Sequence, residues 1–162
     1  YGISAGDVES AHVDTYLVGY KQCGVSEGSI RPRKPIDAKF STPYTVAAAF
    51  IYGEISLKQF QQEIIDDSEI QDLLSRITVA PAERFTQVYP QHWGCALRVQ
   101  LKDGRVLEKE FADASGSVDN PLTRDQVKAK ARALIREAYQ NDAERIAETI
   151  LTVDQAKNIP IL

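Results

Sequence analysis

The segment at residues 96–111 constrains the fold most, because it contains two runs of alternating apolar and polar side chains. The first run covers residues 97–101 and the second covers residues 105–111. Asp103-Gly104 lies between them, and Asp-Gly favours a two-residue hairpin turn in which both positions have positive φ. The pattern therefore predicts an antiparallel β-hairpin, and with it a sheet that contains at least these two strands.

Two more strands and several helices are predicted outside the hairpin. Residues 7–18 alternate and predict a half-buried strand, and residues 77–79 predict a shorter one. Residues 19–36 contain three glycines and two prolines, which favour a loop. Capping residues followed by apolar side chains at helical spacing predict helices. The predicted helices are residues 42–52, a short segment after Ser56, a segment after Asp67 or Ser68, a segment from Thr123 to about Tyr139, and a segment from about residue 141.

The order of these elements is strand, loop, helices, strand, hairpin and helices. Helices grouped around antiparallel strands are typical of the α+β class rather than of a doubly wound parallel sheet. We therefore expect an α+β fold in which a small antiparallel sheet with a hairpin packs against several helices. The apolar tail at residues 158–162 is expected either to dock on this fold or to fray.

Composition and charge exclude several classes of function. The chain has 162 residues, of which 43% are hydrophobic and 26% charged, so it suits one domain with a sizeable core. The net charge is −4 and the sequence has no dense block of lysine and arginine, so no nucleic-acid partner is expected. The longest apolar run, residues 46–52, is far shorter than the roughly 20 residues of a membrane span, so no membrane partner is expected.

The cysteines and histidines lack the spacing of a metal site. Cys23 and Cys95 lie far apart, and we expect them to be reduced thiols of a cytoplasmic protein. His12 and His92 are also isolated, so no zinc site is predicted. No glycine-rich nucleotide motif is present, and no cofactor is expected. The chain has no methionine and starts with Tyr1, so we expect it to be a fragment of a longer protein.

The start of the helix predicted at residues 42–52 carries the most promising polar groups. Ser41 is a candidate N-cap, Tyr44 lies one turn inside the helix, and Lys39 precedes both. Free amide groups at a helix N-terminus favour a nearby anion. The preceding loop adds the positive charges of Arg31, Arg33 and Lys34. One interpretation is therefore a corner that receives a carboxylate or a phosphate.

Ordinary structural roles would explain the same residues. In that alternative, Ser41 caps the helix, Lys39 is solvated, and Tyr44 packs its ring in the core with its hydroxyl satisfied locally. His92 is a second candidate, because a histidine can act as an acid or a base near neutral pH. No carboxylate lies at a suggestive spacing from His92, so we expect it to fill an edge of the core.

Four segments of the sequence, taken in order, carry a family resemblance. They are "DAKFSTPYTVAAAFIYGEISLKQF", "ITVAPAE", "RVQLKDGRVLEKEF" and "DNPLTRDQVKAKARAL". Together they resemble the C-terminal domain of the MmgE/PrpD family, which includes 2-methylcitrate dehydratase, cis-aconitate decarboxylase and iminodisuccinate epimerase. The resemblance covers the chain from about Asp7 to Tyr139.

The resemblance implies a two-domain parent protein. Members of the family are similar in having a large helical domain and a smaller α+β domain, with the active site between them. They eliminate water or carbon dioxide from small di- and tricarboxylates, or epimerise them, and they are not known as iron–sulfur or nucleotide enzymes. This chain would be the smaller domain, and the upstream helical domain, its expected partner, would carry most of the catalytic groups.

The resemblance also implies roles for particular residues. Tyr44 matches the motif tyrosine that faces the cleft and is predicted to be catalytic, and Ser41 and Lys39 are predicted to bind substrate. The leading hypothesis is one wall of a 2-methylcitrate dehydratase-like active site for a small carboxylic acid. The isolated chain is then expected to be inactive, because its site is split between two domains. The alternative is a non-catalytic assembly or carboxylate-binding domain, with a homodimer as one form of that assembly.

Overall fold

The computed structural model describes residues 2–155, and the chain divides into two compact units, residues 1–114 and 115–162. The first unit contains a four-stranded sheet and short helices, and the second contains helices. The strands are β1 (Val8–Thr15), β2 (Ile77–Pro81), β3 (Cys95–Leu101) and β4 (Val106–Phe111). The helices of the first unit are α1 (Leu17–Cys23), α2 (Glu27–Ile30), α3 (Pro35–Lys39), α4 (Thr42–Tyr52), α5 (Gln62–Ile65), α6 (Ser68–Leu74) and α7 (Glu83–Thr86). The helices of the second unit are α8 (Arg124–Tyr139) and α9 (Ala143–Leu151).

The strand order in the sheet is β2-β1-β3-β4. β3 pairs antiparallel with β1 and with β4, whereas β2 pairs parallel with β1, with Ala11 opposite Ile77. The expected α+β class is confirmed, but the sheet is mixed rather than wholly antiparallel. The reason is the long helical connection between β1 and β2, which lets β2 return in the same direction as β1.

The predicted hairpin of β3 and β4 is present, but its turn differs from the expected one. The Leu101 amide donates to the Arg105 carbonyl (2.9 Å), and the Gly104 amide donates to the Leu101 carbonyl (3.0 Å). Of the Asp-Gly pair, Gly104 has positive φ (88°) and Asp103 does not. The loop therefore has three residues with the glycine in the left-handed conformation, which is the next most common hairpin connection.

One face of the sheet packs against α4 and α6 and forms the core. The buried side chains of the sheet are spaced by two residues along β1 and β3, as at Ala11 and Val13, or Val99 and Leu101. Each large apolar side chain that becomes fully buried contributes about 1.5–3 kcal/mol. The helices contribute Ala38, Tyr44, Ala47, Ala48, Ile65, Ile70, Leu73 and Leu74 to this core. The core thus fixes the start of α4, where the predicted site residues lie.

The prediction of a loop at residues 19–36 is wrong. α2 begins after Ser26, whose hydroxyl oxygen accepts a hydrogen bond from the Ser29 amide (3.1 Å). α3 begins at Pro35, which is favoured in the first turn of a helix because its missing N–H would be unpaired there. Gly24 and Pro35 thus mark helix boundaries, whereas Gly19 and Gly28 lie inside α1 and α2. The helix predicted at residues 42–52 is confirmed as α4 and ends at Gly53 in the left-handed conformation (φ 74°).

The second unit begins its first helix with the predicted capping box. The Thr123 hydroxyl accepts from the Gln126 amide (3.2 Å), and the Gln126 side chain accepts from the Thr123 amide (2.8 Å). α8 then packs against α9, and Arg132 and Arg136 both bind the Glu144 carboxylate. The expectation for the tail at residues 158–162 lies outside the described residues. Every helix within residues 2–155 is too short or too polar to cross a lipid bilayer.

Candidate functional site

Ser41 is the N-cap of α4 and is buried in the first unit. Its side chain is 1% exposed. The hydroxyl oxygen accepts a hydrogen bond from the Tyr44 amide (3.0 Å), and the hydroxyl group donates to the Ser29 carbonyl. Ser41 therefore completes the first turn of α4 and joins it to the end of α2.

Tyr44 lies in the core and has no exposed surface. Its hydroxyl donates to the Gln59 carbonyl, and its ring lies 6.0 Å from the ring of Phe60. Burial, and secondarily the nearby Tyr52, raise the pKa of Tyr44 to about 12. The phenol is thus neutral at physiological pH and committed to a backbone acceptor.

The predicted site residues occupy different environments. The Ser41 hydroxyl oxygen accepts a hydrogen bond from the Tyr44 amide, whereas Lys39 is exposed and is the last residue of α3. These contacts are those of the capping-and-packing alternative. The catalytic role of Tyr44 and the substrate contacts of Ser41 and Lys39 stay predictions of the family resemblance.

A cavity of about 300 Å³ lies in the first unit. It is bounded by the end of α2 and the basic segment after it, by the C-terminal half of α6, and by the start of β2. Its lining residues are Ile30, Arg31, Arg33, Gln71, Leu74, Ser75, Ile77 and Thr78. Neither Ser41 nor Tyr44 lines it, but two of the three basic residues singled out in the sequence do. We call it the basic cavity.

The guanidinium groups of Arg31 and Arg33 carry the charge of the basic cavity. Within residues 2–155, neither group has a hydrogen bond or an ion pair. Both residues are exposed, so their charges are available to a ligand. A guanidinium presents a planar fork of donors that matches a carboxylate, and such charge-assisted hydrogen bonds are the strong kind.

The other polar groups of the basic cavity are already engaged within the protein. The Gln71 side-chain amide donates to the Ile65 carbonyl (2.7 Å), and the Ser75 hydroxyl donates to the Asp72 carbonyl (2.7 Å). The Thr78 hydroxyl lies 2.8 Å from Nδ1 of His12. The two arginines are therefore the groups through which this cavity would recognise a ligand, and that ligand would be an anion.

Two hydrogen bonds, one buried and one exposed, hold the backbone near Arg31 and Arg33. Ser41 binds the Ser29 carbonyl two residues before Arg31, and the Gln62 side-chain amide donates to the Arg33 carbonyl (3.0 Å). Residues 39–44 thus contribute indirectly to the basic cavity, because Ser41 positions the end of α2, which Arg31 follows.

The structure gives His92 a carboxylate partner, so the expectation that it has none is wrong. Nδ1 of His92 lies 3.1 Å from both oxygens of Asp113, which is 21 residues away in the sequence. β3 follows His92 and β4 precedes Asp113, with Cys95 opposite Phe111. Extended beyond Cys95 and Phe111, the observed register sets Asp113 opposite Trp93, the residue next to His92, so the hairpin brings the two chain segments together but does not itself specify the contact.

Comparisons with known proteins agree with the resemblance in the sequence. A family model described as the MmgE/PrpD C-terminal domain matches residues 1–155. A curated protein of Aspergillus oryzae, the cis-aconitate decarboxylase-like protein oryM, is 25% identical over 131 residues. The matched region is 80% of this chain but 27% of the relative, so the chain spans only about a quarter of that relative's length.

Proposed function

The chain belongs to the MmgE/PrpD family as its C-terminal domain, and on that premise we propose that it forms one wall of a lyase active site for a small di- or tricarboxylate. The specific activity that we propose for the parent protein is that of a 2-methylcitrate dehydratase. The Aspergillus oryzae relative, by its name, is similar to a decarboxylase, and lyases of both kinds act on a compact polyanion.

The basic cavity is the observation that carries this proposal. Two guanidinium groups without partners among the described residues face a cavity of about 300 Å³, which has room for a compact organic acid. A di- or tricarboxylate would satisfy both guanidinium groups at once, one carboxylate to each. The geometry therefore supports binding and orientation of substrate by this domain.

The acid–base chemistry is proposed to come mainly from an upstream helical domain of the parent protein. α3 offers a surface for that domain, because Ile36 and Phe40 lie one turn apart and are 58% and 54% exposed. The surface precedes α4 in the chain and follows Arg31 and Arg33. A helical domain docked there would cover apolar side chains and enclose the basic cavity.

Tyr44, Ser41 and Lys39 keep proposed roles in this scheme. Ser41 acts on the substrate through the position of Arg31, and Lys39 adds a positive charge near the docked domain. Catalysis by Tyr44 requires its hydroxyl to exchange the Gln59 carbonyl for substrate. The Tyr44→Phe variant tests that step.

The test is a kinetic comparison of the parent protein with its Arg31→Gln/Arg33→Gln variant. Loss of two charge-assisted hydrogen bonds is expected to lower kcat/KM on 2-methylcitrate about a hundredfold or more. Arg98→Gln is the matched control, because Arg98 is also exposed but pairs with Glu108 (3.3 Å). Unchanged kcat/KM in the double variant would contradict the proposal, and so would turnover by the isolated chain.

An assembly domain is the second candidate, favoured by the same exposed Ile36 and Phe40. Under this candidate α3 buries against a second copy of the chain rather than against a helical domain. Sedimentation of the chain, with and without a separately made upstream domain, separates the two. A homodimer that the upstream domain does not dissociate supports the assembly role.

A further inference from the structure

His92 has one ring nitrogen held by Asp113 and the other available. A carboxylate only accepts hydrogen bonds, so in the neutral imidazole the contact with Asp113 places the proton on Nδ1 and leaves a lone pair on Nε2. The Asp113 side chain is 12% exposed, whereas the His92 side chain is 43% exposed. Among the described residues, Nε2 has no hydrogen-bond partner. His92 is thus a fixed acceptor that faces outward.

His12 shows what the same pairing looks like when the ring is fully used. Nε2 of His12 lies 3.2 Å from Oδ1 of Asp14, and Nδ1 lies 2.8 Å from the Thr78 hydroxyl. Both histidines have an aspartate partner and similar exposure (42% for His12). They differ in that His12 has no nitrogen left for a ligand.

A second cavity, of about 220 Å³, lies beside His92. The start of β2, at Ile77 and Thr78, lines the basic cavity, whereas α7, which follows β2 in the chain, lines the second cavity. The two cavities share no lining residue and are separate sites. The lining residues of the second cavity are Arg84, Phe85, Val88, His92, Glu110 and Ala112. Its walls are apolar at Phe85, Val88 and Ala112, and its acceptors are Nε2 of His92 and the Glu110 carboxylate. We call it the His92 cavity.

The charge around the His92 cavity is negative in spite of its arginine. The Arg84 guanidinium donates to an oxygen of Asp14 (3.0 Å) and to an oxygen of Glu110 (3.4 Å), so its charge is paired with two carboxylates. Two carboxylates, those of Asp14 and Glu110, contact this one guanidinium, and a third, that of Asp113, contacts His92. The local field therefore disfavours an anion and favours a cation.

We propose that the His92 cavity binds the ammonium group of a small organic amine with a short apolar body. The ammonium group donates to Nε2 of His92 and to the Glu110 carboxylate, both of which are acceptors. The apolar body packs against Phe85 and Val88. An ammonium ion fits these groups because it carries positive charge and only donates hydrogen bonds. This site goes beyond the proposed lyase function and does not depend on it.

The test uses n-butylammonium as the probe and the 162-residue chain as the protein. Trp93 follows His92 and is the one tryptophan of the sequence, so its fluorescence reports on the cavity, and calorimetry gives the affinity. We expect saturable binding of n-butylammonium and none of n-butyrate. His92→Gln and Glu110→Gln are each expected to weaken binding about tenfold or more, because each removes a charge-assisted hydrogen bond.

His12→Gln is the matched control and should bind n-butylammonium as the wild-type chain does. Equal binding of n-butyrate, an unchanged affinity in His92→Gln, or an equal loss in His12→Gln would each overturn the proposal. Circular dichroism verifies that each variant is folded. If His92→Gln does not fold, the Nε2 resonance of His92 in the wild-type chain decides: a shift on adding n-butylammonium supports the site, and an unmoved resonance overturns it. Arg31→Gln/Arg33→Gln should retain binding, so failure here is distinguishable from failure of the lyase proposal.

Discussion

The basic cavity and the His92 cavity are both lined by arginine, but the guanidinium groups are unpaired in the first and paired with carboxylates in the second. The guanidinium groups of Arg31 and Arg33 have no partner within residues 2–155, so the basic cavity offers two unpaired positive charges. Arg84 binds Asp14 and Glu110, so the arginine of the His92 cavity is neutralised by its neighbours. The comparison teaches that pairing, and not the presence of an arginine, decides which ligand a cavity can receive.

The two cavities also differ in what holds them in place. The segment before the basic cavity is held by Ser41, whose buried hydroxyl binds the Ser29 carbonyl and caps the helix in which Tyr44 is buried. The His92 cavity is supported by exposed ion pairs of Arg84, and exposed ion pairs contribute little to stability. Substitutions near the basic cavity should therefore cost more stability than substitutions near the His92 cavity.

Tyr44→Ala should have the largest effect. The substitution empties part of the core and leaves the Gln59 carbonyl without its donor, so the free energy of unfolding should fall by about 3–5 kcal/mol. Urea denaturation of the isolated chain measures it. Tyr52→Ala in the same helix is the control, because Tyr52 is partly exposed and should cost much less. Equal losses in the two variants would mean that burial of Tyr44 does not support this side of the molecule.

Ser41→Ala should have the next largest effect, and it should reach the basic cavity. Loss of the N-cap and of the hydrogen bond to the Ser29 carbonyl should lower the free energy of unfolding by about 1–3 kcal/mol. In the parent protein, KM for the carboxylate should rise because the Arg31 backbone is less well held. Ser75→Ala is the control, since Ser75 lines the same cavity but its hydroxyl binds a local carbonyl. A KM that rises equally in both variants would contradict a positioning role for Ser41.

Tyr44→Phe should have a smaller effect and separates catalysis from packing. Removal of the hydroxyl should lower the free energy of unfolding by about 1 kcal/mol, because the Gln59 carbonyl loses its donor. The kcat of the parent protein tests the catalytic role implied by the family resemblance. A fall of about tenfold or more would support that role. An unchanged kcat with reduced stability would assign Tyr44 to the core alone.

Local patterns predicted the elements that local chemistry determines. The limits of α4 follow from Ser41 as N-cap and Gly53 in the left-handed conformation, and both signals are readable from the sequence. The hairpin of β3 and β4 was predicted, but its three-residue loop was not, because Asp-Gly is compatible with both loop lengths. The parallel pairing of β1 with β2 depends on a long connection whose path no local pattern specifies.

The functional groups were only partly predictable, for a related reason. The sequence predicts a positive charge at Arg31 and Arg33, but whether their guanidinium groups are free to bind a ligand depends on which carboxylates lie near them in the fold. Asp113 lies next to His92 because the hairpin register brings residues from both of its ends together. Tyr44 was singled out by a motif, and its burial depends on how α4 packs on the sheet.

Arg84→Gln should have the smallest effect on stability and should sharpen the contrast between the cavities. Burial raises the pKa of Asp14, but hydrogen bonds from Arg84 and His12 lower it more, so the folded-state pKa lies below 3.8. Asp14 therefore stabilises the fold above that pH, and this contribution is lost as the pH falls through the lowered pKa. Without Arg84 the loss of stability at low pH should be smaller, so urea midpoints of variant and wild type should differ less at pH 3 than at pH 7.

The same Arg84→Gln variant should bind n-butylammonium several-fold more tightly, because the Glu110 carboxylate is no longer paired. Weaker binding would show that Arg84 supports the cavity rather than competing for its carboxylates.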